Sequence, residues 1–315
     1  MQTSPSSIGA RRIVTRLRSA GCVFAVEEAD LLISAARTPA ELEGMVDGRV
    51  AGLPLEHVVG WAEFCGLRIA VDPGVFVPRR RTEFLVQQAA AVFRPAGGRR
   101  GVAIDLCCGS GAVGAALAAT LQSIDVHASD LDPAAVRCAR RNLAGAGGRV
   151  YEGDLFEALP AWLRGRADLL VANVPYVPSG ELGLLPAEAR THEPRVALDG
   201  GVDGLDVLRR VAAAAPRWLT PGGHLLSETA AHQAGEAVQV LARHGLITRA
   251  ASSRALDTAV IIGILPDQRN GRTDTAGSAP ERDLPSDHSP VLGSVGEGHP
   301  DRQRHLASTR EPGAR

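Results

Sequence analysis

The 315-residue sequence contains no lysine, because all 34 of its Lys and Arg residues are arginine. This absence excludes Schiff-base enzymes, phosphate-loop ATPases and protein kinases, since each of these classes needs a lysine at its site. The five cysteines include no Cys-x-x-Cys pair, and the histidines never fall at i, i+4 spacing. We therefore expect neither a disulfide framework nor a metal site, and cysteine usage of this kind predicts a reducing compartment.

Long apolar runs and an excess of one charge are also missing. No segment approaches the ~18 apolar residues of a membrane-spanning helix, and the start of the chain lacks the apolar core of a secretory signal. The formal net charge is −1, which provides no field for non-specific binding of nucleic acid. The sequence thus predicts a cytoplasmic protein with no membrane partner and no direct nucleic-acid partner.

Composition and periodicity divide the chain into four parts. Residues 1–56 place apolar side chains at helical spacing and predict a small helical domain. Residues 57–78 alternate around Gly and Asp-Pro-Gly turn signals and predict a β-hairpin connector. Residues 79–266 carry the main domain, whereas residues 267–315 hold too little apolar surface to fold and predict a disordered tail.

Strand-like and helix-like runs alternate through the main domain, from GVAIDLCC near residue 101 to TAVIIGIL near residue 258. Strict alternation predicts an α/β fold with a parallel sheet covered on both faces. Ligands of such sheets bind at the carboxyl ends of the strands, near the point where the strand order reverses.

A glycine-rich turn follows the first of these strands at residues 109–114, with the pattern G-x-G-x-x-G. By itself this pattern fits a dinucleotide or S-adenosylmethionine, since both cross a strand-to-helix turn. The sulfonium cofactor is favoured because Asp105 can receive its ammonium group, where a pyrophosphate would be repelled. Asp130 then accepts from the ribose hydroxyls, Asp154 from the adenine amino group, and Leu155 covers the ring.

The segment Asn173-Val174-Pro175-Tyr176 follows the fourth strand. A planar amide or exocyclic amine is a poor nucleophile, because its lone pair is delocalised. Two acceptors, the Asn173 side-chain oxygen and the carbonyl of residue 174, would draw charge toward the attacking nitrogen and orient it. Tyr176 would stack on the flat group, and Pro175 would stiffen the turn.

Together IDLCCGSG, ASDLDPAAV, GDLF and NVPY resemble, in order and spacing, the HemK/PrmC group of class I methyltransferases. The likeness extends from about Arg11 to Leu265 and includes GVFVPRRRTEFLV, HEPRVALDGGVDGLDVLRRV and LTPGGHLLSETAAHQ. It implies a Rossmann-like, seven-stranded, mostly parallel sheet behind a small N-terminal helical domain that helps bind the substrate. It also implies S-adenosylmethionine-dependent methylation of the glutamine amide in the Gly-Gly-Gln motif of peptide chain release factors.

The resemblance places cofactor contacts on Asp130, Leu155, Asn173 and the turn comprising Cys107, Cys108, Gly109, Ser110 and Gly111. It places the substrate amide on Asn173 to Tyr176. The sequence departs from the family pattern in three ways. Val174 replaces the first proline of Asn-Pro-Pro-Tyr, Cys107 and Cys108 replace Gly and a Thr-like residue, and the N-terminal unit is shorter than usual.

Three alternatives stay open from the sequence. An N6-adenine methyltransferase acting on nucleic acid would use the same Asn-x-Pro-Tyr arrangement, although it needs to unstack a base. A cofactor-binding homologue without activity would explain Val174, and a nicotinamide dehydrogenase would explain the glycine pattern. We assign no catalytic role to His192, Glu193 or Glu228, because an alkylated amide loses its proton to water without a protein base.

Overall fold

The computed structural model of the chain describes residues 5–95 and 99–267. The predicted tail therefore lies outside the described residues from 268 onward. Within the described ranges, no helix is long and apolar enough to cross a membrane.

Four helices open the described chain. They are α1 (Pro5–Ser19), α2 (Ala25–Ala35), α3 (Pro39–Val50) and α4 (Leu55–Val59). Thr38 caps α3, because its side chain accepts from the Glu41 backbone N–H and Pro39 fills the first turn. The helices share a small apolar core that includes Leu17, Leu32 and Val46, all fully buried.

A two-stranded antiparallel hairpin follows, formed by β1 (Trp61–Phe64) and β2 (Leu67–Ala70). Its turn residues Cys65 and Gly66 both have positive φ, as a tight two-residue hairpin turn requires. The Cys65 backbone N–H donates to the Glu83 carboxylate at 3.0 Å, which ties this turn to the start of α5 (Glu83–Val92). The first residues of the predicted connector, including His57, belong to α4 instead.

Seven strands of the described chain form the main sheet, in the order β5-β4-β3-β6-β7-β9-β8. The strands are β3 (Gly101–Leu106), β4 (Ile124–Asp130), β5 (Arg149–Glu152), β6 (Ala167–Ala172), β7 (Leu219–Thr229), β8 (Ile247–Ser253) and β9 (Thr258–Ile264). All neighbours are parallel up to β7, and β9 runs antiparallel to both of its neighbours. This topology confirms the predicted seven-stranded, mostly parallel, Rossmann-like sheet, whose strand order reverses between β3 and β6.

Helices cover both faces of this sheet. They are α5, α6 (Ala112–Thr120) and α7 (Pro133–Ala144) on one face and α9 (Asp206–Ala214) and α10 (Ala234–Ala242) on the other, and a short helix α8 (Ala187–His192) precedes α9 in the chain. Every residue of β3 and β6 is buried, which explains why both strands are apolar apart from one aspartate each, Asp105 and Asp168. Alternate residues serve two different cores, since Leu169 packs into one cluster and Leu170 into the other.

The sheet differs from strict α/β alternation at its far edge. The segment ITRAASS forms β8, although its side chains are mostly exposed or half-buried and carry no clear apolar pattern. It pairs with β9 over seven residue pairs, across a turn at residues 254–257. An edge strand of this kind gains its structure from backbone pairing with β9, so its own side chains give little signal.

Candidate active site

A cavity of about 700 Å³ opens at the carboxyl edge of the sheet, on both sides of the β3–β6 switch point. The segment 185–198 and the residues before α5 complete its wall. All of the predicted site residues except Gly111 line it: Asp105, Cys107, Cys108, Gly109, Ser110, Asp130, Asp154, Leu155, Asn173, Val174, Pro175 and Tyr176. Residues far apart in the sequence therefore meet in one cavity, as ligand placement in such sheets requires.

The turn after β3 is built from left-handed backbone conformations. Cys107, Gly109 and Gly111 have φ of 55°, 54° and 78°. Gly109 lines the cavity, and nothing lies within 4 Å of the Cβ position that a side chain there would take. Gly111 has a packing role instead, since a Cβ there would lie 3.0 Å from Ala139 of α7. The absence of a side chain at Gly111 allows the start of α6 to approach α7 closely.

Asp130 ends β4 with both carboxylate oxygens engaged by backbone. Oδ2 accepts from the Gly109 N–H at 2.8 Å, and Oδ1 accepts from the Asp132 N–H at 2.9 Å. Each oxygen has a second lone pair, so the carboxylate can accept further donors from the cavity. Burial raises the pKa of Asp130, and the backbone N–H groups oppose that shift.

Asp105 lies in the floor of the cavity and is only 1% exposed. One of its oxygens, Oδ2, accepts from the Gly114 N–H in the first turn of α6 at 2.9 Å. Burial, with the charge of Asp130 as a smaller cause, raises the pKa of Asp105 to about 7. Its charge is therefore sensitive to pH and to any cation placed above it.

Asp154, which is predicted to accept from the adenine amino group, already has one partner in the structure. Its Oδ2 forms an ion pair with Arg210 of α9 at 2.6 Å, and both side chains line the cavity. Sequence reasoning missed Arg210, because 56 residues separate it from Asp154. The neighbouring Leu155 has a φ of 49° and is nearly buried, so a strained backbone presents its side chain to the same part of the cavity.

Asn173 follows β6, and its Oδ1 is buried without a hydrogen-bond partner among the described residues. A buried amide oxygen without a partner is costly, which marks this atom as an acceptor awaiting a donor. Val174 is 2% exposed and packs into the sheet core. The Tyr176 backbone is fixed by Gln233, whose Nε2 donates to the Tyr176 carbonyl at 3.0 Å.

Another pair in the wall, Arg79 and Glu193, joins two distant segments. Nη2 of Arg79 lies 2.5 and 2.6 Å from the two Glu193 oxygens, and the Glu193 side chain is 1% exposed. Burial raises the pKa of Glu193, and the charge of Arg79 opposes this. This pair holds the wall segment 185–198 against the chain that precedes α5. The sequence indicated the two segments only through their resemblance to a family.

The charged and polar side chains that line the cavity fit S-adenosylmethionine. At the end formed by β3, β4 and β5, the carboxylates of Asp105, Asp130 and Asp154 line it, and the guanidinium of Arg210 pairs with Asp154. The guanidiniums of Arg79 and Arg81 also line the cavity, and they pair with Glu193 and Glu228. Such a site suits a cationic ligand that carries hydroxyl and amino donors, whereas a pyrophosphate would be repelled. Among the described residues, no group of three or more His, Cys, Asp or Glu side chains is placed to hold a metal ion.

Comparison with known proteins agrees with a site for S-adenosylmethionine. Residues 66–185 match the family described as methyltransferase small domain. With the sheet order and the cavity at its switch point, this match defines a class I methyltransferase that uses S-adenosylmethionine.

Curated relatives narrow the assignment. A release factor glutamine methyltransferase of Geobacter sulfurreducens is 41% identical over 208 residues, which are 65% of this chain and 71% of the relative. One from Mycolicibacterium smegmatis is 40% identical over 222 residues, covering 67% and 77%. A 4-amino-L-phenylalanine/4-methylamino-L-phenylalanine methyltransferase of Streptomyces pristinaespiralis is 38% identical over 229 residues, covering 71% and 77%. The chain belongs to the release factor glutamine methyltransferase family.

Proposed function

We propose that this enzyme methylates the side-chain amide nitrogen of a glutamine in a protein. The glutamine is that of the Gly-Gly-Gln motif of a peptide chain release factor. The observation that carries this proposal is that Asn173 lines the cavity beside Pro175 and Tyr176, while its buried Oδ1 has no hydrogen-bond partner among the described residues. A primary amide is a suitable donor for that oxygen, and the family relatives act on such a group by name.

The cofactor occupies the end of the cavity formed by β3 and β4 in this proposal. Asp130 accepts from ribose hydroxyls, Asp105 balances the ammonium group, and Leu155 covers the adenine. Cys107 to Ser110 line the same end, while Gly111 acts indirectly by packing α6 against α7. When bound, S-adenosylmethionine supplies an electrophilic methyl group on its sulfonium sulfur.

The residues after β6 prepare the acceptor nitrogen. The Asn173 Oδ1 and the carbonyl of residue 174 each accept one hydrogen of the amide NH2, which raises the electron density on nitrogen and fixes its direction. Tyr176 packs on the plane of the amide and excludes water. After transfer the nitrogen is strongly acidic, and its proton leaves to water. Val174 serves here through its backbone carbonyl, which the loss of the family's proline does not remove.

We place the enzyme in the cytoplasm, with the release factor as its partner and no membrane or direct nucleic-acid partner. All five cysteines belong to the described residues and are free, in agreement with a reducing compartment. The formal net charge of −1 supports a protein substrate over a nucleic acid.

The test is a parallel assay with methyl-labelled cofactor and four acceptors. They are a release factor, a variant of that factor in which the glutamine of the Gly-Gly-Gln motif is replaced by asparagine, duplex DNA, and 4-amino-L-phenylalanine. We expect label on the unaltered release factor alone, mapped by mass spectrometry to the glutamine side chain. Label on DNA or on the free amino acid, with none on the release factor, would replace the proposed substrate. Cofactor binding without transfer to any acceptor would identify an inactive homologue.

A further inference from the structure

One buried carboxylate next to the site has no role in the chemistry proposed above. Glu228 lies near the carboxyl end of β7, between β6 and β9, and is 1% exposed. A charged side chain buried in the middle of a sheet is costly unless it is paired, so its partners indicate what it does.

Glu228 has two such partners at the rim of the cavity, both on Oε1, whereas its Oε2 is buried without a hydrogen-bond partner among the described residues. Its Oε1 accepts a hydrogen bond from the Tyr176 hydroxyl at 3.1 Å, and the same atom lies 3.3 Å from Nε of Arg81. The guanidinium of Arg81 also lies over the Tyr176 ring, 5.9 Å from its centroid. Arg81 and Tyr176 line the cavity, whereas Glu228 lies behind them.

Tyr176 is therefore held at two points. Gln233 fixes its backbone carbonyl, and Glu228 fixes the far end of its side chain. A hydrogen bond to the hydroxyl fixes the direction in which the side chain extends from the backbone, so the ring keeps one place in the cavity wall, which costs less entropy when a flat group packs on it. A side chain free to take another χ1 rotamer would lose that preorganisation without removing any group that contacts the substrate.

We propose that Glu228 is a positioning residue, which acts through the Tyr176 hydroxyl to hold the aromatic ring that packs on the acceptor amide. This inference rests on the proposed function for its consequence in catalysis. It assigns Glu228 no contact with substrate or cofactor and no proton transfer.

Three variants separate this role from a structural one. Glu228→Met keeps the volume of the side chain but removes the acceptor, and the guanidinium of Arg81 that it leaves unpaired is 45% exposed, so that water can solvate it. Glu228→Gln keeps an oxygen that accepts from Tyr176. Tyr176→Phe removes the same hydrogen bond from the other side. Glu27→Gln, at an exposed position of α2, is the matched control for loss of a carboxylate.

For Glu228→Met we expect kcat to fall about tenfold or more, as the loss of a charge-assisted hydrogen bond predicts. Cofactor affinity and the melting temperature should stay close to those of the unaltered chain, and Glu228→Gln should recover most of kcat. The double variant with Tyr176→Phe should be no slower than the slower single variant. Unchanged kcat in Glu228→Met, or losses that multiply in the double variant, would overturn the proposal.

A second readout is independent of activity. The sequence has two tyrosines, Tyr151 and Tyr176, so tyrosine labelled with ¹³C at Cζ gives two NMR signals, assigned with Tyr151→Phe. Glu228→Met should shift only the Tyr176 signal, and Glu27→Gln should shift neither. A Tyr176 signal that ignores Glu228→Met would overturn the inference. An unaltered chain that methylates no acceptor would instead overturn the proposed function, and the NMR signal would still decide the contact.

Discussion

The two ends of the cavity satisfy their polar groups in opposite ways. At the end formed by β3 and β4, Asp105 and Asp130 already accept hydrogen bonds from backbone N–H groups, and Asp154 is paired with Arg210. At the end formed by β6, Asn173 Oδ1 is buried without any partner among the described residues. The polar groups of the first end are satisfied within the folded chain, whereas the second end keeps an acceptor that, in the proposed function, the substrate amide satisfies.

This difference separates residues that contribute to both folding and ligand binding from residues that contribute to binding alone. A carboxylate that holds backbone turns contributes to both folding and binding, so its removal should harm both. An amide oxygen without a protein partner contributes to binding alone, so its removal should spare the fold. The four predictions that follow test this contrast, in order of decreasing effect.

The largest effect is expected at Asn173. Asn173→Ala should lower kcat about a hundredfold to a thousandfold, because it removes an acceptor aimed at the reacting nitrogen. The free energy of unfolding should not fall, since no protein hydrogen bond to Oδ1 is lost. Single-turnover methylation and thermal melting measure the two quantities, with the exposed amide variant Gln87→Ala as control. A clear loss of stability without loss of rate would show that Asn173 serves the fold and not the reaction.

Asp130 should show the opposite combination. Asp130→Ala should weaken cofactor binding about a hundredfold, through loss of a charged acceptor. It should also destabilise the apoprotein by about 1–3 kcal/mol, because the N–H groups of Gly109 and Asp132 lose their acceptor. Calorimetric titration and denaturant unfolding test this, against Asp125→Ala on the surface. Normal stability with weak binding would show that the backbone bonds contribute nothing to the fold.

The pH dependence of cofactor affinity tests Asp105. Its pKa is raised to about 7 by burial, so the carboxyl is mostly neutral at pH 6 and ionised at pH 8. Only the ionised form attracts an ammonium group, so affinity should rise about tenfold from pH 6 to pH 8. Asp105→Asn keeps an acceptor for the Gly114 N–H and should flatten this rise. An equal rise in Asp105→Asn would assign the titration to another group.

The smallest effect is expected at the ion pair of Arg210 and Asp154. Arg210→Leu should tighten cofactor binding by no more than about threefold, because a half-exposed ion pair is worth little and its removal frees an acceptor. Isothermal titration measures the change. A loss of affinity above tenfold would make Arg210 a ligand of the cofactor in its own right.

The sequence supported correct predictions wherever the signal was local or repeated along the chain. Buried strands β3 and β6 were visible as apolar runs, and the acids that follow successive strands do line one cavity. Asp132 stands directly before Pro133, a pair typical of a helix start, and its side chain accepts from the Ala134 N–H at the start of α7. Both kinds of signal depend on residues within a few positions of each other.

Other features had no local signal. The packing role of Gly111 depends on Ala139 in another helix, and the partner of Asp154 comes from α9. Cys107 and Leu155 have positive φ, a backbone conformation that usually favours glycine. Their residue types therefore did not predict this conformation. The contact between Tyr176 and Glu228 joins residues 52 positions apart.

The residue types at the strand ends show, without any structure, which chemistry is available at the site, because no lysine is present and the acids, the glycine turn and Asn173 to Tyr176 stand at strand ends. The alternation of buried strands with helices likewise predicts the parallel part of the sheet, whereas the edge strand β8 carries no such signal. Which polar atoms are already paired, and which have no partner, depends on the folded chain. Hydrogen-bond satisfaction and burial are set by neighbours across the fold, and they govern both the pKa of Asp105 and the unpartnered Oδ1 of Asn173.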